Sequence, residues 1–132
     1  MKIIADTNVL LRATLDDDPK QSRIARLALK SAEQIAISGF TLCEFVWVLN
    51  RSYKLPKAEI IRVILRLLDS RNVIVDRPAV DAGLAALQAG ADFADGAIVY
   101  EGAWLGGETF VSFDKKAVAA LTRQGLKAKL LG

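Results

Sequence analysis

Lys2-Ile3-Ile4-Ala5-Asp6-Thr7-Asn8-Val9-Leu10-Leu11 opens the chain. An apolar run this short, ended by Asp6 and followed by apolar residues at helical spacing, reads as a buried strand turning directly into a helix. Asp6 therefore sits at the carboxyl end of a strand. The same alternation continues. Asp16-Asp17-Asp18-Pro19 breaks the first helix, and Pro19 suits the first turn of a second one with Ile24, Leu27, Ala28 and Leu29 as its apolar stripe. Ile35-Ala36-Ile37-Ser38 is the next strand. Thr41 to Lys54 reads as a helix so consecutively apolar through Phe45, Val46, Trp47, Val48 and Leu49 that burial on most sides is expected.

Pro56 opens a further helix to Asp69, with Ile60, Ile61, Ile64, Leu67 and Leu68 on a stripe that Val63 and Leu65 widen beyond one core face, so a partner surface is expected there. Asn72-Val73-Ile74-Val75 is a strand, Pro78 to Ala89 a helix stopped by Gly90, and Phe93 to Leu105 a helix ended by Gly106-Gly107. Thr109-Phe110-Val111-Ser112 gives a strand, Asp114 starts a short helix through Val118 and Leu121, and Ala128 to Leu131 forms a last short strand. Strands alternating with helices of this length predict an α/β fold: a three-layer α/β/α sandwich around a mainly parallel central sheet. With 132 residues and a prior of roughly 100–200 residues per domain, one domain over 1–132 is expected.

Composition narrows the chemistry. There is no histidine and one cysteine, Cys43, which excludes disulfide frameworks, Cys/His zinc sites and any scheme that uses imidazole. The groups left are carboxylates, Lys, Arg, Tyr and hydroxyls, and oxygen ligands favour Mg²⁺ or Mn²⁺. A net charge of +3 from 18 Lys+Arg against 15 Asp+Glu is compatible with a polyanionic partner such as nucleic acid. No apolar run approaches the roughly 18 residues of a membrane span, so a cytoplasmic protein without membrane contact is expected.

Open parallel sheets bind ligands at the carboxyl ends of their strands. Asp6 ends the first strand, Glu44 enters the helix after the second, Asp92 and Asp95 open the Phe93 helix, and Asp114 follows the Thr109 strand. Like charges brought to one edge repel unless protonated or bridged by a cation, so a divalent metal is the economical resolution. Each acid also has a structural reading. Thr41-Leu42-Cys43-Glu44 fits a capping box, Asp92 and Asp114 look like helix N-caps, and Asp95 gains from the helix dipole. Asp6 is harder to dismiss, because Asp is disfavoured at the end of an apolar strand unless it initiates the following turn. Gly102-Ala103-Trp104-Leu105-Gly106-Gly107-Glu108-Thr109 has P-loop glycine spacing, but Glu108 stands where the phosphate-binding lysine belongs.

Four segments resemble, in order, the motifs of the PIN-domain family, in particular VapC-type toxins of VapBC toxin–antitoxin pairs. They are Ile3 to Leu11 with its Asp6-Thr7-Asn8 turn, Ser38 to Glu44, Asp92 to Val99, and Val111-Ser112-Phe113-Asp114. The resemblance covers essentially the whole chain. It implies Asp6, Glu44, Asp95 and Asp114 as catalytic and metal-binding acids with Asp92 as an accessory, Mg²⁺-dependent endoribonuclease activity on RNA, a homodimer and a cognate antitoxin. Thr7, Asn8 and Ser112 would orient carboxylates, and Arg12, Lys115 and Lys116 would hold the RNA backbone. Ser112 replaces the usual threonine and keeps its hydroxyl; Gly96 replaces the usual alanine and is expected to loosen its helical turn by about 0.5–1 kcal/mol. Two other classes fit less well. A phosphohydrolase using an Asp6 aspartyl-phosphate wants a second Asp where Asn8 stands, and a receiver-like signalling domain shows adjacent acids where Asp6 stands alone.

Overall fold

Helices and strands alternate along the whole chain in the computed structural model, which describes residues 1–132. In order they are β1 (Lys2–Ile4), α1 (Thr7–Thr14), α2 (Pro19–Ser31), β2 (Gln34–Ala36), α3 (Gly39–Arg51), α4 (Lys57–Leu68), β3 (Val73–Ile74), α5 (Arg77–Ala89), α6 (Phe93–Trp104), β4 (Phe110–Ser112), α7 (Lys115–Arg123) and β5 (Ala128–Leu130). Every strand pair is parallel, as helical crossovers between successive strands require. The chain resolves into two units, Met1–Val75 and Asp76–Gly132. The first holds a sheet in the order β1-β2-β3, the second the pair β4-β5.

In the first unit, Ile35 is paired on both sides, with Ile3 of β1 and Val73 of β3. Leu10, Leu42, Phe45, Leu49, Ile60 and Ile64 pack as its buried core. β1 is less enclosed than its sequence suggests: Ala5 is buried but Ile4 is 86% exposed. α2 also turns differently. Its buried residues are Ser22 and Ala25, while Ile24 and Leu27 lie outside. Two polar contacts set that rotation: Ser22 Oγ donates to the Leu15 carbonyl at 2.7 Å, and Arg26 Nε donates to the Ala13 carbonyl at 2.9 Å. Small residues facing α1 let the two helices approach closely.

α3 begins at Gly39 rather than Thr41, because Ser38 supplies the cap: its Oγ accepts from Thr41 N at 3.1 Å. The Thr41–Glu44 capping box is thereby displaced, and Glu44 falls in the second helical turn. Leu42, Phe45, Val46 and Leu49 face inward, whereas Trp47 is 56% exposed, so this helix keeps one open side. On α4, Ile60 and Ile64 are fully buried and Ile61, Val63, Leu67 and Leu68 half-buried. The unit's own core thus takes up most of the broad stripe and leaves Leu65 exposed.

The second unit is built on close helix contacts. Ala86, Ala91, Ala117, Ala120 and Leu121 form its core, with Val99, Phe110 and Ala128 packed against them. α5 ends at Gly90, whose φ of 107° satisfies the left-handed C-cap that any side chain would strain. α6 lies so close to α5 that a Cβ on Gly96 would stand 2.1 Å from the Ala82 carbonyl oxygen, and one on Gly83 would stand 2.7 Å from the Phe93 ring. Gly96 therefore seats the helix rather than loosening it. No helix is long and apolar enough to cross a membrane.

Candidate functional site

Asp6 follows β1 and caps α1, its Oδ1 accepting from Thr7 N at 2.8 Å. The next residue carries the link to a second element. Thr7 is buried, and its hydroxyl donates to Glu44 Oε1 on α3. A hydroxyl in an apolar setting needs a partner, and a carboxylate is the strongest acceptor available to it. The Thr7 bond thus holds the Glu44 carboxylate against the residue adjoining Asp6. Asn8 is exposed and lines a shallow groove with Val9, Arg12, Gln21, Ile24, Ala25 and Ala28.

In the second unit, Asp92 caps α6, and Asp95 Oδ2 accepts from Asp92 N at 3.0 Å. Phe93, between them, is buried against Gly83 and anchors the turn. Asp114 caps α7 through Oδ1, which accepts from Ala117 N at 3.1 Å, while its own amide donates to Ser112 Oγ at 3.0 Å. Ser112 thus fixes the backbone entry to the acid. Burial raises the Asp95 carboxyl above its ordinary value, opposed by the hydrogen bond from the Asp92 amide and reinforced by the negative charges of Asp92 and Asp114.

Capping and metal binding are compatible at these positions. Asp6 and Asp114 each commit Oδ1, and Asp95 commits Oδ2, to a backbone amide, which leaves the second oxygen of each carboxylate available. The donor set is all oxygen, as Mg²⁺ or Mn²⁺ prefers, and a cation would relieve the repulsion felt by Asp95. In one unit Thr7, the residue after Asp6, holds Glu44, and in the other Asp95 feels the charges of Asp92 and Asp114. No group of three or more Asp, Glu or Cys side chains is arranged to hold a metal ion.

The basic residues divide. Arg12 is committed within its own unit: its guanidinium pairs with both Asp17 oxygens at 3.0 Å and with Gln21 at 2.7 Å, so it does not stand free for a phosphate. Asp17 also accepts from the Tyr53 hydroxyl at 2.7 Å, Asp16 pairs with Arg26, and Asp18 caps α2. The acidic run, largely exposed, thus makes a set of specific ties. Lys115 and Lys116 occupy the first turn of α7, exposed and outside the ion pairs of Arg12, Arg26, Arg62 and Arg77. Sequence reasoning passed over Gly83 and the positional role of Phe93, although a Gly and a Phe on successive helices are the residue types that such close packing uses.

The PIN-domain family profile matches residues 3–121, a span that contains all five acids. The chain belongs to the PIN-domain family, whose members are typically nucleases dependent on a divalent metal. No curated protein matches it.

Proposed function

We propose that this chain is a Mg²⁺-dependent endoribonuclease, the VapC-type toxin of a type II toxin–antitoxin pair, that hydrolyses RNA phosphodiesters. The observation that carries the reading is the set of carboxylates within the family match, where Asp6, Asp95 and Asp114 each keep one oxygen free of their helix cap. Asp6, Glu44, Asp95 and Asp114 would hold Mg²⁺ or Mn²⁺, with Asp92 as an accessory acid. When bound, the metal supplies Lewis acidity that activates water and offsets charge on the phosphodiester.

The chain's own groups do the rest. Thr7 restricts Glu44 to one orientation, and Ser112 holds the turn that presents Asp114. Lys115 and Lys116 provide cations for the RNA backbone, which positions the substrate without reading its sequence. With no imidazole in the chain, proton transfer falls to carboxylates and water. Inhibition by a cognate antitoxin and assembly as a homodimer, in the cytoplasm, complete the proposal. An antitoxin Arg or Lys could pair with the site acids in competition with Mg²⁺.

The test is RNA cleavage by purified protein with Mg²⁺, Mn²⁺ or excess chelator. Cleavage that requires the metal and is suppressed by the protein encoded beside the gene supports the proposal. Cleavage that persists undiminished in EDTA contradicts it.

A further inference from the structure

The outer face of α3 carries a pattern that its core does not use. Phe40, Glu44, Trp47 and Arg51 follow at spacings of four, three and four residues, which stacks them along one side of the helix. All are exposed, Phe40 at 80% and Trp47 at 56%. Burying such rings is worth a great deal to a fold, and here neither is buried in the chain. Phe40 and Trp47 stand about 10 Å apart along the axis, on either side of Glu44. The Arg51 guanidinium lies over the Trp47 ring, 5.7 Å from its centroid, and has no carboxylate partner.

We propose that this face is a stacking track for unpaired RNA bases, in which Phe40 and Trp47 hold the bases flanking a phosphodiester presented to Glu44 and Arg51 pairs with the RNA backbone. The proposal rests on the ribonuclease reading and deepens it by naming the side chains that hold the strand on either side of Glu44. Exposed aromatic rings with a cation beside them are how proteins grip single strands, because every base has a face to stack on and every nucleotide a phosphate. A second protein copy fits less well. The centre of a protein interface is depleted of acidic residues, whereas the centre of this stripe is the Glu44 carboxylate.

The experiment measures binding of a dye-labelled, unstructured oligoribonucleotide without divalent metal, so that cleavage plays no part. Trp47→Ala and Phe40→Ala are each expected to weaken binding roughly five- to hundredfold, the range of alanine substitutions at stacking positions, with Trp47→Phe retaining most of the affinity. Binding of a duplex of the same sequence should not respond to either change. In a Trp104→Phe background, where Trp47 is the remaining tryptophan, its fluorescence should be quenched by the single strand. RNA bound or cut by the wild type but equally by Trp47→Ala and Phe40→Ala, with no quenching, overturns the track and leaves the ribonuclease proposal standing. A Trp47→Ala variant that changes from dimer to monomer in ultracentrifugation with RNA affinity unchanged also overturns it, and assigns the face to a second copy. A wild type that neither binds nor cuts RNA overturns both.

Discussion

The Thr7 hydroxyl donates its hydrogen to Glu44 Oε1, joining the first turn of α1 to the exposed side of α3 across 37 residues of sequence. This bond turns a surface glutamate into an oriented one. Removing the donor while keeping the shape should therefore separate orientation from folding. Thr7→Val should lower RNA cleavage by about 10- to 100-fold, the usual effect of losing a group that holds a metal-binding carboxylate, while the melting temperature moves little. Thr7→Ser, which keeps the hydroxyl, should retain most activity. Equal cleavage by Thr7→Val and wild type would remove this bond from the mechanism.

Gly96 presents the opposite of the usual helix rule. An Ala in place of Gly inside a helix ordinarily gains up to about 1 kcal/mol, yet here the added methyl meets the Ala82 carbonyl. Overpacking of this kind costs about 1–3 kcal/mol, so Gly96→Ala should be less stable than wild type in urea unfolding. A stabilised variant would show that α5 and α6 are not in close contact at this point.

Much of the fold was legible because it is locally encoded. Pro19 at the start of α2, Gly90 at the end of α5 and Asp92 and Asp114 at the starts of α6 and α7 act on their own neighbours, so their residue types announce them, whereas the cap that Asp6 gives α1 was not read. What was not legible depends on partners distant in sequence. Hydrophobicity points Ile24 and Leu27 inward on α2, but the contacts of Ser22 and Arg26 with the end of α1 turn a small-residue face there instead. Gly96 looks like a weakness until the Ala82 carbonyl is placed opposite it. Glu44 was legible as a candidate acid, but its tie to Thr7 leaves no periodic trace, and Ser38 shifts the helix start that a Thr41 cap would set.

Asp95 gives the fold a pH signature. Its native carboxyl titrates above the ordinary value, chiefly through burial, so between about 3.9, the unfolded value, and its raised native value the folded state binds the extra proton. In metal-free buffer its contribution to stability should fall as pH rises through that window. Asp95→Asn should flatten this slope and leave the protein as stable as wild type or more so near neutral pH. Unfolding curves measured across the window check it, and parallel slopes for the two proteins would count against a perturbed Asp95.

Asp17 behaves in the reverse sense. The Tyr53 hydroxyl, together with Arg12, holds its carboxyl below the ordinary value, so its contribution is present above the unfolded value and is lost as pH falls through the native one. Tyr53→Phe should move the Asp17 titration upward toward normal, as followed by carboxyl NMR. An unmoved titration would assign the lowering to Arg12 and the Asp17 backbone.

Under the proposed function, Asp6 and Asp95 serve one metal-dependent reaction. Single-turnover RNA cleavage in Mg²⁺ by wild type, Asp6→Asn, Asp95→Asn and the double variant tests it most directly, with folding of each verified by melting. Groups that act as a unit are strongly non-additive. Each single variant should lose at least about a hundredfold in rate, and the double variant should be no slower than the worse single one. Wild-type cleavage by either single variant, or losses that multiply in the double, would contradict the claim.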